Sequence, residues 1–595
     1  MHRLLRAATA ILAVLATVAG PSTAREERGS IAPEAATGTS DRNLATAARH
    51  MISAANPHAA DAGREILRAG GSAADAAIAA QLVLGLVEPQ SSGLGGGGFV
   101  LHHDGRTGKL SAYDGRETAP AAARPDRFLK GGQPIPYDTA VHSGLSVGVP
   151  GLPRLLETLH GRHGRLPWAR LFEPAIRLAE EGFAVSPRLN LLLRWMGAKS
   201  FAPAARAYFF DVGGAPRATG ERLKNPQYAA TLHRLAAEGI GALHTGPIAD
   251  AIVTAVADAP NAAGDLVHSD LADYAIVRRE PLCASYRGYQ VCGMGPPSSG
   301  GLVVAQTLTM LEQFDLGHGP AASSSVTPAH LVAEAQKLAY ADRDRYVADP
   351  AFVPVPAGLT DRAYLTARGT VIDPRRAMPP PEAGVPPGAD RQSFGLDATQ
   401  ESIGTTHLSV IDGDGNAVAL TSTIEAAFGS RLWAAGFLLN NELTDFSLRP
   451  TDRNGRPVAN RVEGGKRPRS SMAPTIVYGP DGRIFAVLGS PGGARIPLYV
   501  LKTIIALIDW KLDAQAAVAL ANFGSRGGAI EIEASSAELR PVRAWAALGR
   551  ALRLKALGHR IDWDLMTSGT HVLVRRGDLI EGGADPRREG QALGD

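Results

Sequence analysis

The chain has 595 residues, with 61 lysines and arginines against 58 aspartates and glutamates and a formal charge of +3. Near-balance over this length argues against a nucleic-acid binder, which would concentrate basic residues. Hydrophobic residues at 45% and charged residues at 20% exclude a globally disordered chain. Two cysteines exclude a disulfide-dense scaffold and a cysteine-based zinc ribbon, while the length allows several domains or one large layered α/β unit.

In chain order, Met1 to Arg6 is a basic start, Ala7 to Ala19 an apolar run, and Ser22-Thr23-Ala24 a small-residue cleavage site. Residues 1–24 thus have the build of a secretory signal peptide, with an apolar run too short for a comfortable membrane span. Residues 25–43 read as a flexible leader. No later apolar stretch reaches about 18 residues, so the expectation is a periplasmic or secreted protein without a membrane span. Ser72 and Asp75 form a capping box that opens a helix running to Val87 and ending near Pro89. It is apolar on nearly all sides, hence buried. A glycine cluster from Ser91 to Phe99 follows. Helical patterns dominate residues 151–195, 226–256 and 326–348. Strand-like alternation dominates 405–424 and 474–490, and the proline-rich stretch 378–387 reads as an exposed linker.

The segment Cys283 to Cys292 reads as two strands around an Arg287-Gly288 turn, which sets the two cysteines opposite each other in a non-hydrogen-bonded pair. They form either a cross-strand disulfide, as an oxidising compartment allows, or two buried thiols.

Two catalytic patterns fail on context. Gly93-x-Gly95-x-x-Gly98 fits a dinucleotide fingerprint, but a helix precedes it where a strand is required. Gly144-Leu-Ser146-Val-Gly148 fits a serine-hydrolase elbow, but Val149-Pro150-Gly151 interrupts the helix that should follow. No metal or phosphate motif is found, so no cofactor and no metal are expected, and the scattered histidines read as surface or structural residues.

The segment Gly404-Thr405-Thr406-His407 to Thr421-Ser422-Thr423 reads as two strands joined by a Gly/Asp/Asn turn. A turn centred on Asp414 sets Thr423 opposite Thr405. Spacing alone describes only a threonine-rich hairpin, since threonine pairs are common in sheets.

Longer blocks add a resemblance. Val87-Glu-Pro-Gln-Ser-Ser-Gly-Leu-Gly-Gly-Gly-Gly-Phe99, Arg116-Glu-Thr-Ala-Pro120, Pro296-Pro-Ser-Ser-Gly-Gly301, Thr405-Thr-His407, Leu438-Leu-Asn-Asn441, Lys466-Arg-Pro-Arg-Ser-Ser-Met-Ala-Pro-Thr475 and Gly489-Ser-Pro-Gly-Gly493 occur in order. From about residue 44 the chain resembles the γ-glutamyltransferase (glutathione hydrolase) family. The resemblance implies the N-terminal-nucleophile hydrolase fold, a four-layer αββα sandwich built from two fragments of one precursor. It implies a cut between Gly404 and Thr405, leaving a large subunit 44–404 (after the leader) and a small subunit 405–595 that stay together as a heterodimer.

The resemblance also implies roles. Thr405 is the nucleophile, and its freed α-amine is the base, with an ordinary pKa near 8. Thr423 orients it, and the N–H groups of Gly492 and Gly493 form the oxyanion hole. Arg116, Ser470 and Ser471 bind a donor's α-carboxylate, and Asp445 and Glu442 its α-ammonium. Glu425 stands where many relatives carry asparagine. The stretch from Asp445 to Ser470 is shorter than a full lid loop and lacks its aromatic residue, so Asn454 to Gly465 is expected to form a short basic cover over a more open donor pocket. The implied activity is self-processing γ-glutamyl hydrolysis or transfer, from glutathione-like donors to water, amino acids or short peptides. The alternatives are a β-lactam side-chain acylase of the glutaryl-7-aminocephalosporanic acid type and an unprocessed, inactive secreted binding protein.

Overall fold

The computed structural model describes residues 42–390, 394–399, 404–534 and 541–595. The expected signal peptide 1–24 and nearly all of the leader lie outside these residues.

Fourteen strands make two seven-stranded sheets. In chain order they are β1 (Ala45–Ala47), β2 (Met51–Ala54), β3 (Gly97–His103), β4 (Leu110–Gly115), β5 (Val277–Arg279), β6 (Leu282–Tyr286), β7 (Tyr289–Gly293), β8 (Thr406–Ile411), β9 (Ala417–Thr423), β10 (Thr475–Tyr478), β11 (Ile484–Gly489), β12 (His571–Arg576), β13 (Leu579–Ala584) and β14 (Gln591–Gly594). One sheet runs β14-β2-β8-β9-β3-β4-β5 and the other β1-β13-β12-β11-β10-β7-β6. Every pairing in both sheets is antiparallel.

The sheets face each other, with β8 and β9 against β11 and β12. Helices α1 (Pro57–Arg68), α2 (Ala73–Val87) and α3 (Leu152–His163) cover the outer face of the first sheet. Helices α4 (Gly300–Leu311), α5 (Val326–Tyr346) and α6 (Ile496–Ile508) lie on the side of the second. This is a four-layer αββα sandwich.

Local signals explain the elements around the site. Ser72 and Asp75 make the reciprocal capping box that starts α2, and all fifteen residues of α2 are buried because it is held between β8–β9 and further helices. In β8 and β9 every residue is buried, since both faces are covered. Polar residues on them are satisfied by each other: His407 Nδ1 lies 2.8 Å from Thr421 Oγ1, and its Nε2 lies 3.0 Å from Ser409 Oγ. Burial and the nearby His571 hold His407 well below the usual histidine range, so it is a neutral structural residue. The glycine cluster serves close approach: a Cβ on Gly96 would meet the Thr423 carbonyl oxygen at 2.0 Å.

Two expectations need correction. The proline-rich stretch is not simply an exposed linker: Ala383, Gly384 and Pro386 are buried. Gly384 donates its N–H to Asp342 at 2.7 Å and accepts from the Tyr346 hydroxyl at 2.7 Å, so α5 holds it down. The short basic cover expected at Asn454–Gly465 is packed down and charge-matched. Val458, Ala459, Asn460 and Val462 are buried. The cations are matched locally, Arg456 by Asp452 and Arg461 and Lys466 by Glu463.

Cys283 and Cys292 are paired in register across β6 and β7 and joined as a disulfide. Arg287 and Gly288 both have positive φ, which a tight two-residue hairpin of this hand requires.

Candidate active site

Register brings the two threonines together. In the β8–β9 hairpin Thr406 faces Ser422 and Ile411 faces Ala417, so the next step places Thr405 beside Thr423. Thr405 is 3% exposed. Its hydroxyl donates to the carbonyl of Gly404, and the Thr423 hydroxyl donates to the same oxygen at 2.6 Å. Thr423 is itself held by the Glu425 N–H, which donates to its Oγ1 at 2.7 Å.

One small cavity is lined by Gly404, Thr405, Thr423, Arg116, Glu425, Glu442, Asp445, Ser470, Ser471 and Gly493, with Met472 and Ile496. Gly492 adjoins it with φ +142, a region that disfavours a side chain, and a Cβ there would meet the Tyr499 ring at 2.5 Å. The turn from Gly493 leads directly into α6, whose N-terminus points its dipole at this corner.

Arg116, at the end of β4, is 1% exposed. Its guanidinium donates to Glu442, to Asp445 at 2.5 Å, to the Arg469 carbonyl at 2.7 Å and to the Pro468 carbonyl at 3.2 Å. Burial pushes the Asp445 carboxyl up to about 6, against the pull of Arg116. Burial also raises Glu442. Glu425 has positive φ and accepts from Asn441 Nδ2 at 2.5 Å, while Asn441 Oδ1 accepts the Ala426 N–H at 2.9 Å. Asn441 therefore fixes the Glu425 carboxylate from behind. Ser470 Oγ accepts the Met472 N–H at 3.1 Å, and Ser471 Oγ accepts from Arg343 at 2.9 Å.

Sequence reasoning did not single out Glu117, Asn441 or Arg343. Glu117 is fully buried beside Glu442, and burial together with that neighbour raises its carboxyl well above the usual range. Its signal was its place in the Arg116-Glu-Thr-Ala-Pro120 block. Arg343 has no such signal, lying in a stretch that the sequence marks only as helical.

Among the described residues, His330, Glu334 and His559 form one cluster with metal-ligand proximity. Most of its groups are already used: His330 Nδ1 lies 2.7 Å from His559 Nε2, and Glu334 takes Lys337 Nζ at 2.7 Å and the Met378 N–H at 2.6 Å. A divalent cation there would sit against the Lys337 ammonium.

A threonine leading into a central strand of a four-layer αββα sandwich defines the class of N-terminal-nucleophile enzymes. The gamma-glutamyltranspeptidase family matches residues 59–595, and the chain belongs to that family. It is 37% identical over 477 residues to the glutathione hydrolase proenzyme of Bacillus subtilis (strain 168), covering 79% of each chain. It is 38% identical over 512 residues to the Acylase ACY 1 proenzyme of Pseudomonas sp. (strain V22), covering 84% of this chain and 87% of that one. The cephalosporin acylase from Bacillus halodurans superposes with a TM-score of 0.79 at 28% identity, covering 96% of this chain and 99% of that one.

Proposed function

We propose that the chain is an exported precursor that cuts itself between Gly404 and Thr405 and then hydrolyses or transfers γ-glutamyl groups. The observation that carries this reading is the convergence of Thr405, an arginine, a serine pair and several carboxylates on one cavity.

In the first step Thr405 Oγ attacks the Gly404 carbonyl carbon. The C–N bond breaks, its nitrogen takes up a proton as the new α-amine, and water opens the resulting ester. Thr423 donates to the oxygen on which negative charge develops. The amine, with an ordinary pKa near 8, then takes the proton of Thr405 Oγ when that oxygen attacks a donor's γ-carbonyl. The N–H groups of Gly492 and Gly493 stabilise the tetrahedral oxyanion. The C–N bond of the donor breaks as the leaving amine takes that proton from the Thr405 α-amine. Water or the amine of an amino acid or peptide then opens the γ-glutamyl ester, giving its proton to the same α-amine. Thr423 keeps Thr405 oriented after the cut.

A γ-glutamyl donor ends in a zwitterion. Arg116, Ser470 and Ser471 suit its carboxylate, and Glu425, Glu442 and Asp445 suit its ammonium. The likeness to Acylase ACY 1 and to the cephalosporin acylase favours a second reading, a β-lactam side-chain acylase. A glutaryl group has the carboxylate but no ammonium, so it would draw no contact from these acids beyond those they already make with Arg116 and Asn441. The glutathione-like donor therefore fits better.

Denaturing gel electrophoresis and N-terminal sequencing test the cut: the smaller fragment should begin Thr405-Thr406-His407, and Thr405→Ala should leave one uncut band. Release of p-nitroaniline from the γ-glutamyl derivative tests the substrate. A cut enzyme that instead hydrolyses only the glutaryl cephalosporin would establish the acylase reading.

A further inference from the structure

Arg343 is a buried cation of α5, 4% exposed. Its Nη2 donates to Ser471 Oγ at 2.9 Å, its Nε to Ser299 Oγ at 3.0 Å and its Nη1 to Asp344 at 2.7 Å. Ser299 extends that anchorage: its N–H and its hydroxyl each donate to the Ser470 carbonyl at 2.7 Å. One guanidinium therefore fixes both serines, Ser471 directly and Ser470 through Ser299. Tyr340 lies three residues earlier, on the same face of α5, with its ring centroid 5.6 Å from the guanidinium carbon. Its hydroxyl donates to the carbonyl of Ala494, the residue after Gly493. The serine pair and the oxyanion turn are braced from one helix face.

The hydrogen-bond polarity has a chemical consequence. An oxygen that accepts from a guanidinium has its own O–H directed elsewhere. Ser471 accepts from Arg343 and Ser470 from the Met472 N–H, and both serines line the cavity. Their hydroxyls are thereby set as donors, the polarity a carboxylate needs. Arg116 is already divided between Glu442 and Asp445. Arg343, itself shared with Asp344, is a second buried cation behind the serines, where water screens it little.

We propose that Arg343 is the positioning residue that sets the serine pair for the donor's α-carboxylate and so determines the preference for donors that carry one. This rests on the γ-glutamyl reading above. The test uses Arg343→Met and Ser299→Ala in the full-length protein, with γ-glutamyl-p-nitroanilide as donor and L-glutamate and γ-aminobutyrate as competing ligands; the latter lacks the α-carboxylate. Arg343→Met should raise KM and weaken L-glutamate inhibition by about tenfold or more, with kcat within about threefold and γ-aminobutyrate inhibition unchanged. Arg343→Lys should recover part of the loss. Ser299→Ala, which keeps the cation, should show the same selective pattern at smaller size, and is decisive if Arg343→Met fails to cut itself. Equal weakening toward both ligands, or a fall in kcat at constant KM, overturns the assignment. A wild-type protein that cuts itself yet ignores the γ-glutamyl compound is a different result, which overturns the γ-glutamyl reading and this inference with it.

Discussion

The hydroxyl of Thr423 donates to the carbonyl of Gly404 at 2.6 Å, so a residue of β9 polarises the bond that precedes β8. Thr423→Val keeps the shape and removes this donor. Loss of one oxyanion donor costs on the order of 10²–10³ in rate. Self-cutting of the variant, followed by gel over time, should slow by that order. A wild-type rate would show that Thr423 plays no part in the first step.

Gly404 sits where a Cβ would meet the Glu425 carbonyl oxygen at 2.0 Å. Backbone cannot yield as a side-chain tip can, so Gly404→Ala should push the scissile carbonyl off its two donors. The expected outcome is accumulation of uncut precursor with the fold retained, read by gel and by circular dichroism. Prompt cutting of the alanine variant would refute the close packing as a requirement.

Asp445, pushed up to about 6 by burial, must be ionised to hold an ammonium. KM for the γ-glutamyl donor should therefore rise as pH falls through about 6, and Asp445→Asn should flatten that limb while raising KM at neutral pH. The stability sign is the reverse. A carboxyl raised above its ordinary value near 4 contributes stability below that value and loses it as pH rises through about 6. Thermal melts of Asp445→Asn against wild type should favour the variant more at pH 7.5 than at pH 4.5.

The Cys283–Cys292 disulfide closes a short loop at the outer edge of its sheet. Closing so short a loop is worth about 2–3 kcal/mol in the chain-entropy account. Replacing both cysteines by serine should lower Tm by a few degrees and leave kcat/KM within about twofold, as neither cysteine lines the cavity that holds Thr405. A large fall in kcat/KM at a temperature where the variant is folded would contradict this.

What was legible in the sequence was local. The turn around Asp414 fixed which residues of the hairpin face each other, and Ser72 with Asp75 marked the start of α2, because each signal lies within a few residues of its effect. The same holds for the hairpin that pairs the cysteines. Arg343 and Glu117 were not legible as site residues, because their importance arises from contacts with residues far along the chain, while Asn441, whose partner Glu425 lies 16 residues away, read only as part of a motif block. The segment after Asp445 was misjudged for a related reason. Its residues read only as a short basic cover, whereas Asn460, buried among them, donates to the Asp445 carbonyl at 2.7 Å and accepts the Arg469 N–H at 2.9 Å.

The strand order has a consequence for the life of the cut protein. A break before Thr405 would give β8, β9 and β14 to one piece and β2, β3, β4 and β5 to the other, yet β2 lies between β14 and β8. In the opposing sheet β10 to β13 from the second piece are flanked by β1 and by β7–β6 from the first. The two polypeptides would be woven through each other rather than docked, so their association has no ordinary dissociation constant: parting them means unfolding both. Dilution should never release active halves, and a gene split at this point would yield chains that must fold around each other from the start.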